Sequence, residues 1–127
     1  LGTETSCGIY VEKFLRVGYK NDVTAVVKVQ TFLNDYMNAG LITDGIYGPL
    51  TEKAVRNFQL AHADKVLGPW DISESTGIFY LTTQTEVNNI LCPDLGLGIP
   101  APLVNWSAGA YDTPPPIPGA TTVTLNI

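Results

Sequence analysis

The sequence predicts a mainly α fold: a small three-helix bundle with a short N-terminal helix in front and an extended proline-rich arm behind, ending in a β-strand. Three observations carry this. Apolar residues recur at helical spacing from Val23 to Met37. The phrase "DGIYGPLTEKAVRNFQ", which begins at Asp44, has a looser copy, "TGIFYLTTQTEVNNIL", at Thr76. Seven of the nine prolines fall in residues 93–127, which also lack any basic residue. A chain of 127 residues has room for one modest core and an arm. The expected division is therefore 1–92 for the helical domain with its N-terminal segment and 93–127 for the arm.

"YVEKFLRVG" places Val11, Phe14 and Leu15 on one helical face and stops at Gly18, which predicts the short N-terminal helix. The next helix carries Val23, Val26, Val27, Gln30, Leu33 and Met37, with Asn21 or Asp22 as cap and Gly40 as terminator. Asp44-Gly45 then supplies a turn, and Gly48-Pro49 opens a helix whose buried face is expected to be Leu50, Ala54, Val55, Phe58 and Ala61. "HADKVLGPWDISES" reads as an excursion between helices. After the second loop, Thr83 and Glu86 have the spacing of a capping box for a helix through Val87, Ile90 and Leu91.

The two copies align at an offset of 32 residues, matching Gly45 to Gly77, Ile46 to Ile78, Tyr47 to Phe79 and Thr51 to Thr83. Each matched position has a structural reason. Glycine relieves a positive φ, the isoleucines are expected to be buried, and the threonines are either third-turn-position residues or caps. Gly45, Gly48, Thr51, Gly77 and Thr83 are accordingly read as loop-building residues. Gln30 and Gln59 sit on buried-looking faces, where an unsatisfied amide is costly, so they are expected to hydrogen-bond the loop backbone.

In the arm, Leu95, Leu97, Ile99, Leu103, Val104, Trp106, Tyr111 and Ile117 are too many apolar side chains for a chain left in water. Residues 120–127, "ATTVTLNI", alternate Val123, Leu125 and Ile127 with polar residues, a strand signal that needs a partner edge. Trp106, Ile117, Val123, Leu125 and Ile127 are thus candidates for contact with a neighbouring subunit.

Net charge is −5, and it belongs to residues 66–127, because the seven basic residues are offset by seven acidic ones before residue 66. This balance argues against nucleic acid and anionic membrane surfaces as partners. No apolar run approaches the roughly 18 to 20 residues of a membrane span, so membrane insertion is not expected. The chain opens on Leu1 without a basic-then-apolar leader, and is read as a mature exported chain. Cys7 and Cys92, the only cysteines, fit no metal or redox motif; a disulfide is favoured over two free thiols. Closing a loop of 85 residues would stabilise the fold by roughly 4 kcal/mol and implies an oxidising setting. His62 lacks companion ligands at metal-binding spacing, so no metal is expected. No cofactor motif, nucleophile elbow or marked acid–base pair is present, and a catalytic role is not expected. "NWS" at Asn105 has the form of a glycosylation acceptor.

The order of these phrases resembles the peptidoglycan-binding domain family, three-helix modules attached to many secreted cell-wall enzymes. The family's V-x-x-[LV]-Q-x-x-L helix is matched by Val26, Val29, Gln30 and Leu33. Its D-G-x-[FY]-G-x-x-T-x-x-A-V-x-x-F-Q element is matched by Asp44, Gly45, Tyr47, Gly48, Thr51, Ala54, Val55, Phe58 and Gln59. The third element appears as Thr76, Gly77, Tyr80 and Thr83, with Thr76 in place of aspartate and Tyr80 in place of glycine. The resemblance spans about residues 18–92 and implies a non-catalytic, secreted or cell-surface module whose partner is peptidoglycan or another cell-surface polymer. Asp44, Tyr47 and Tyr80 look exposed and are the ligand candidates. Trp70 either stacks on a sugar or plugs its loop onto the bundle. The competing reading is a structural subunit of a surface layer or filament, a homo-oligomer built through residues 93–127.

Overall fold

A computed structural model describes residues 7–100. The expected strand over 120–127, the acceptor Asn105 and the subunit-contact candidates Trp106, Ile117, Val123, Leu125 and Ile127 lie outside the described residues. Four helices follow in order: α1 (Val23–Met37), α2 (Pro49–Ala61), the single-turn α3 (Ala63–Val66) and α4 (Leu81–Leu91). Short 3₁₀ turns occupy Gly68–Trp70 and Pro93–Leu95. Among the described residues the only β pairing is an isolated antiparallel bridge between Leu15 and Phe79.

α1 starts where Asp22 accepts from the Ala25 N–H at 2.9 Å, a cap worth about 1 kcal/mol. It ends at Asn38, whose left-handed conformation takes the role expected of Gly40. Asn34 then holds the exit by two bonds to Leu41, donating Nδ2 to its carbonyl and accepting its N–H. α2 has Pro49 at its first position, where the missing N–H has no helical partner to lose. Its buried residues are Thr51, Ala54, Val55, Phe58 and Gln59. Leu50 and Ala61, expected on that face, point to solvent instead. Phe32 of α1 meets Phe58 of α2 edge to face, with centroids 5.5 Å apart. Val26, Val29, Leu33, Val55, Val66, Leu67 and Val87 complete a core shared by all four helices.

The expected N-terminal helix does not form. Residues 10–14 have no regular secondary structure, and Leu15 exchanges two backbone bonds with Phe79 at 2.8 and 3.1 Å. α4 supplies the rest of this pairing through side chains. Asn88 accepts from the N–H groups of Tyr10 and Val11 and donates to the Val11 carbonyl, and Gln84 donates to the Lys13 carbonyl. Val11 and Leu15 are both buried, and their spacing of four residues places them on one face at period 2 as well as at period 3.6. A disulfide between Cys7 and Cys92, with Cα atoms 5.7 Å apart, pins this segment to the end of α4.

Candidate functional site

The two loops that precede α2 and α4 are built by the same device. The side-chain amide of Gln30 shares its two hydrogens among Asp44 Oδ1, the Ile46 carbonyl and Thr51 Oγ1, at 3.0 to 3.1 Å, while its Oε1 accepts from the Gly45 N–H. Gln59 repeats the arrangement on Thr76 Oγ1, the Ile78 carbonyl and Thr83 Oγ1, and accepts from the Thr76 and Gly77 N–H groups. Each loop also closes on itself: Asp44 accepts from the Ile46 N–H and Thr76 from the Ile78 N–H. A hydroxyl has the same two acceptor positions that one carboxylate oxygen uses here, so Thr76 can stand where the first loop has aspartate. Thr51 and Thr83 are third residues of their helices rather than caps; the capping positions belong to Gly48 and Tyr80. Glu86 consequently forms no capping box, and its carboxylate instead meets His62 Nδ1 at 2.8 Å.

Gly45 and Gly77 have φ of +78° and +74°, and both are packed tightly. A Cβ on Gly45 would lie 2.6 Å from Val23 Cγ1, and one on Gly77 would lie 2.7 Å from Glu52 Cγ. The loops therefore lie flat against α1 and α2, respectively. Arg56, paired with Glu52, adds a bond to the Ser75 carbonyl at 2.7 Å.

Tyr47 and Tyr80, expected to be exposed, are buried, at 5% and 8%. Tyr47 donates its hydroxyl to the Gly77 carbonyl at 2.7 Å and so joins the two loops. Burial, helped by the nearby Glu52, pushes its phenol far above the usual tyrosine range. Tyr80 lies between Phe14, edge-on at 5.5 Å, and Trp70, stacked at 5.9 Å, and burial raises its phenol as well. Trp70 is half-buried and donates its indole N–H to Thr82. The isoleucines following the two glycines are not core residues: Ile46 is 66% exposed and Ile78 only partly buried. Of the ligand candidates, Asp44 alone is exposed, and the Ile46 N–H, followed by the Gln30 amide, holds its carboxyl below the usual carboxylate range. Ile46 in the same loop and Leu50 in the first turn of α2, the latter 73% exposed, are apolar surface residues.

Residues 22–66 match the family model described as a putative peptidoglycan binding domain. The match opens on the capping residue of α1 and closes at the end of α3, so this peptidoglycan-binding-like span contains the whole first glutamine clasp. The second loop and α4 lie beyond it and repeat the clasp in more divergent residues. No curated protein and no solved structure matches the chain. Among the described residues no group of His, Cys, Asp and Glu could hold a metal ion, and no helix is long and apolar enough to cross a membrane.

Sequence reasoning missed the Asn88 clamp, the Tyr47 bridge and the His62–Glu86 pair. Asn88 alone carried a usable signal, a polar residue beside Val87 on the inner face of a helix, the same signal that marks Gln30 and Gln59.

Proposed function

We propose that this unit is a non-catalytic, extracytoplasmic module that binds peptidoglycan through the outer face of the 44–48 loop and the first turn of α2. The family match over residues 22–66 carries this reading, because the loop lies within it. The clasp engages Asp44 Oδ1, which leaves Oδ2 to accept hydrogen bonds from sugar hydroxyls or stem-peptide amides. Ile46 and Leu50 offer an apolar surface to the non-polar face of a sugar ring. Because the loop is held by side chains from α1 and α2, little ordering is required on binding. The Cys7–Cys92 bridge supports an oxidising location outside the cytoplasm.

Pelleting of the full chain with insoluble peptidoglycan tests the proposal. The chain should sediment above the level of an unrelated acidic protein, and Leu50→Glu, a change at an exposed position, should reduce the pelleted fraction. Sedimentation no greater than that of the control would overturn it.

A further inference from the structure

A cavity of about 220 Å³ opens between α3, the Gly68–Trp70 turn, α4 and the segment 97–100. Its lining includes Lys65, Pro69, Thr85, Glu86, Asn89 and Ile99. Of the whole lining, only Asp64 and Lys65 fall within the span matched to the peptidoglycan-binding family, so the cavity goes beyond the reading given above. Its walls are orderly. Asn89 exchanges two bonds with Leu97, both at 2.9 Å, which holds the 97–100 segment against α4. Thr82, also in the lining, is fixed by bonds from Trp70 and to the Val66 carbonyl.

Glu86 is the distinctive group. It is 8% exposed, it borders the cavity, and His62 Nδ1 engages only Oε2. Oε1 has no hydrogen bond from the described residues, and a carboxylate this deep calls for a donor. His62 is held in turn by Tyr36, whose hydroxyl lies 3.2 Å from Nε2, so the pair is braced from behind. Lys65, on the same cavity, forms no ion pair among the described residues and presents the opposite charge. The rest of the lining is mixed: Pro69, Leu97 and Ile99 are apolar, while Asp64, Thr82, Thr85 and Asn89 are polar.

We propose that this cavity binds a dipeptide-sized zwitterion, with its ammonium group on Glu86, its carboxylate on Lys65 and small side chains against Pro69, Leu97 and Ile99. A ligand of this size in a partly open site should bind with a Kd on the order of 1 mM. The test is an NMR titration of the full chain with alanylalanine, with N-acetyl-alanylalanine and with alanylalanine amide. The free dipeptide should give saturable shifts at the amides of Thr82, Thr85, Asn89 and Gly98. Each capped form, lacking one charge, should bind about tenfold more weakly. Lys65→Met, at an exposed position, should weaken the free dipeptide similarly, and Thr85→Trp, which fills the cavity, should abolish the shifts while the remaining spectrum stays dispersed. The absence of saturable shifts at tens of millimolar, capped dipeptides that bind as tightly as the free one, or undiminished binding to folded Thr85→Trp would each overturn the proposal.

Discussion

Tyr47 in the first loop donates its hydroxyl to the carbonyl of Gly77 in the second, at 2.7 Å and out of contact with bulk water. The two copies of the turn-and-helix phrase are therefore not independent connectors. The first is clasped by Gln30 of α1 and the second by Gln59 of α2, and this one phenol couples them.

Removing the phenol oxygen should expose that coupling. Tyr47→Phe keeps the ring in the core but leaves the Gly77 carbonyl without this donor, at an expected cost of about 1 to 2 kcal/mol. Gln30→Leu should cost more, about 3 kcal/mol, because it strips the clasp from the Gly45 N–H and the Ile46 carbonyl together. Urea unfolding of both variants measures the difference, and a smaller loss for Gln30→Leu than for Tyr47→Phe would refute this ranking.

The equivalence of Asp44 and Thr76 can be tested by exchange. Asp44→Thr should retain both acceptor roles and stay within about 1 kcal/mol of the parent, whereas Asp44→Ala loses both and should be the less stable of the two. Equal unfolding midpoints for the two variants would show that Asp44 Oδ1 does not hold the loop.

Glycine is required at 45 for two reasons, and at 40 for one. Gly40→Ala meets no atom within 4 Å and should cost about 1 kcal/mol for its positive φ alone. Gly45→Ala adds the clash with Val23 and should be clearly more destabilising. Thermal unfolding of the pair decides it.

Alkaline stability should bear the mark of Tyr47. Its folded-state pKa is raised, so the unfolded chain releases this proton first. The associated stability is complete below about pH 10, the unfolded tyrosine value, and falls as pH rises above it, by up to about 1.4 kcal/mol per pH unit for this group. Tyr10 and Tyr80, also raised, act in the same direction. Tyr47→Phe should flatten the decline, as read from urea midpoints across the alkaline range; an unchanged slope would contradict it.

Breaking the Cys7–Cys92 bridge opens a loop spanning 85 residues and should cost roughly 4 kcal/mol. The Cys7→Ser/Cys92→Ser double variant should unfold at markedly lower urea, and adding reductant to the parent should reproduce the shift. Equal midpoints with and without the bridge would count against a stabilising role.

By itself the sequence determined the helical bundle, the place of its turns and the likeness of residues 22–66 to a peptidoglycan-binding domain. These features rest on local chemistry: helical spacing in α1, Asn21 or Asp22 as a cap, Pro49 at a first helical position, and glycine where φ is positive. It also marked Gln30 and Gln59, since a polar residue on an apolar face stands out in one dimension. Only the tertiary structure decided which way ambiguous side chains face. Tyr47 and Tyr80 are buried and Ile46 and Leu50 exposed, because what covers a loop residue comes from a distant segment. The same reason kept residues 10–15 from forming a helix: Phe79, Gln84 and Asn88, far along the chain, supply partners for their backbone groups instead.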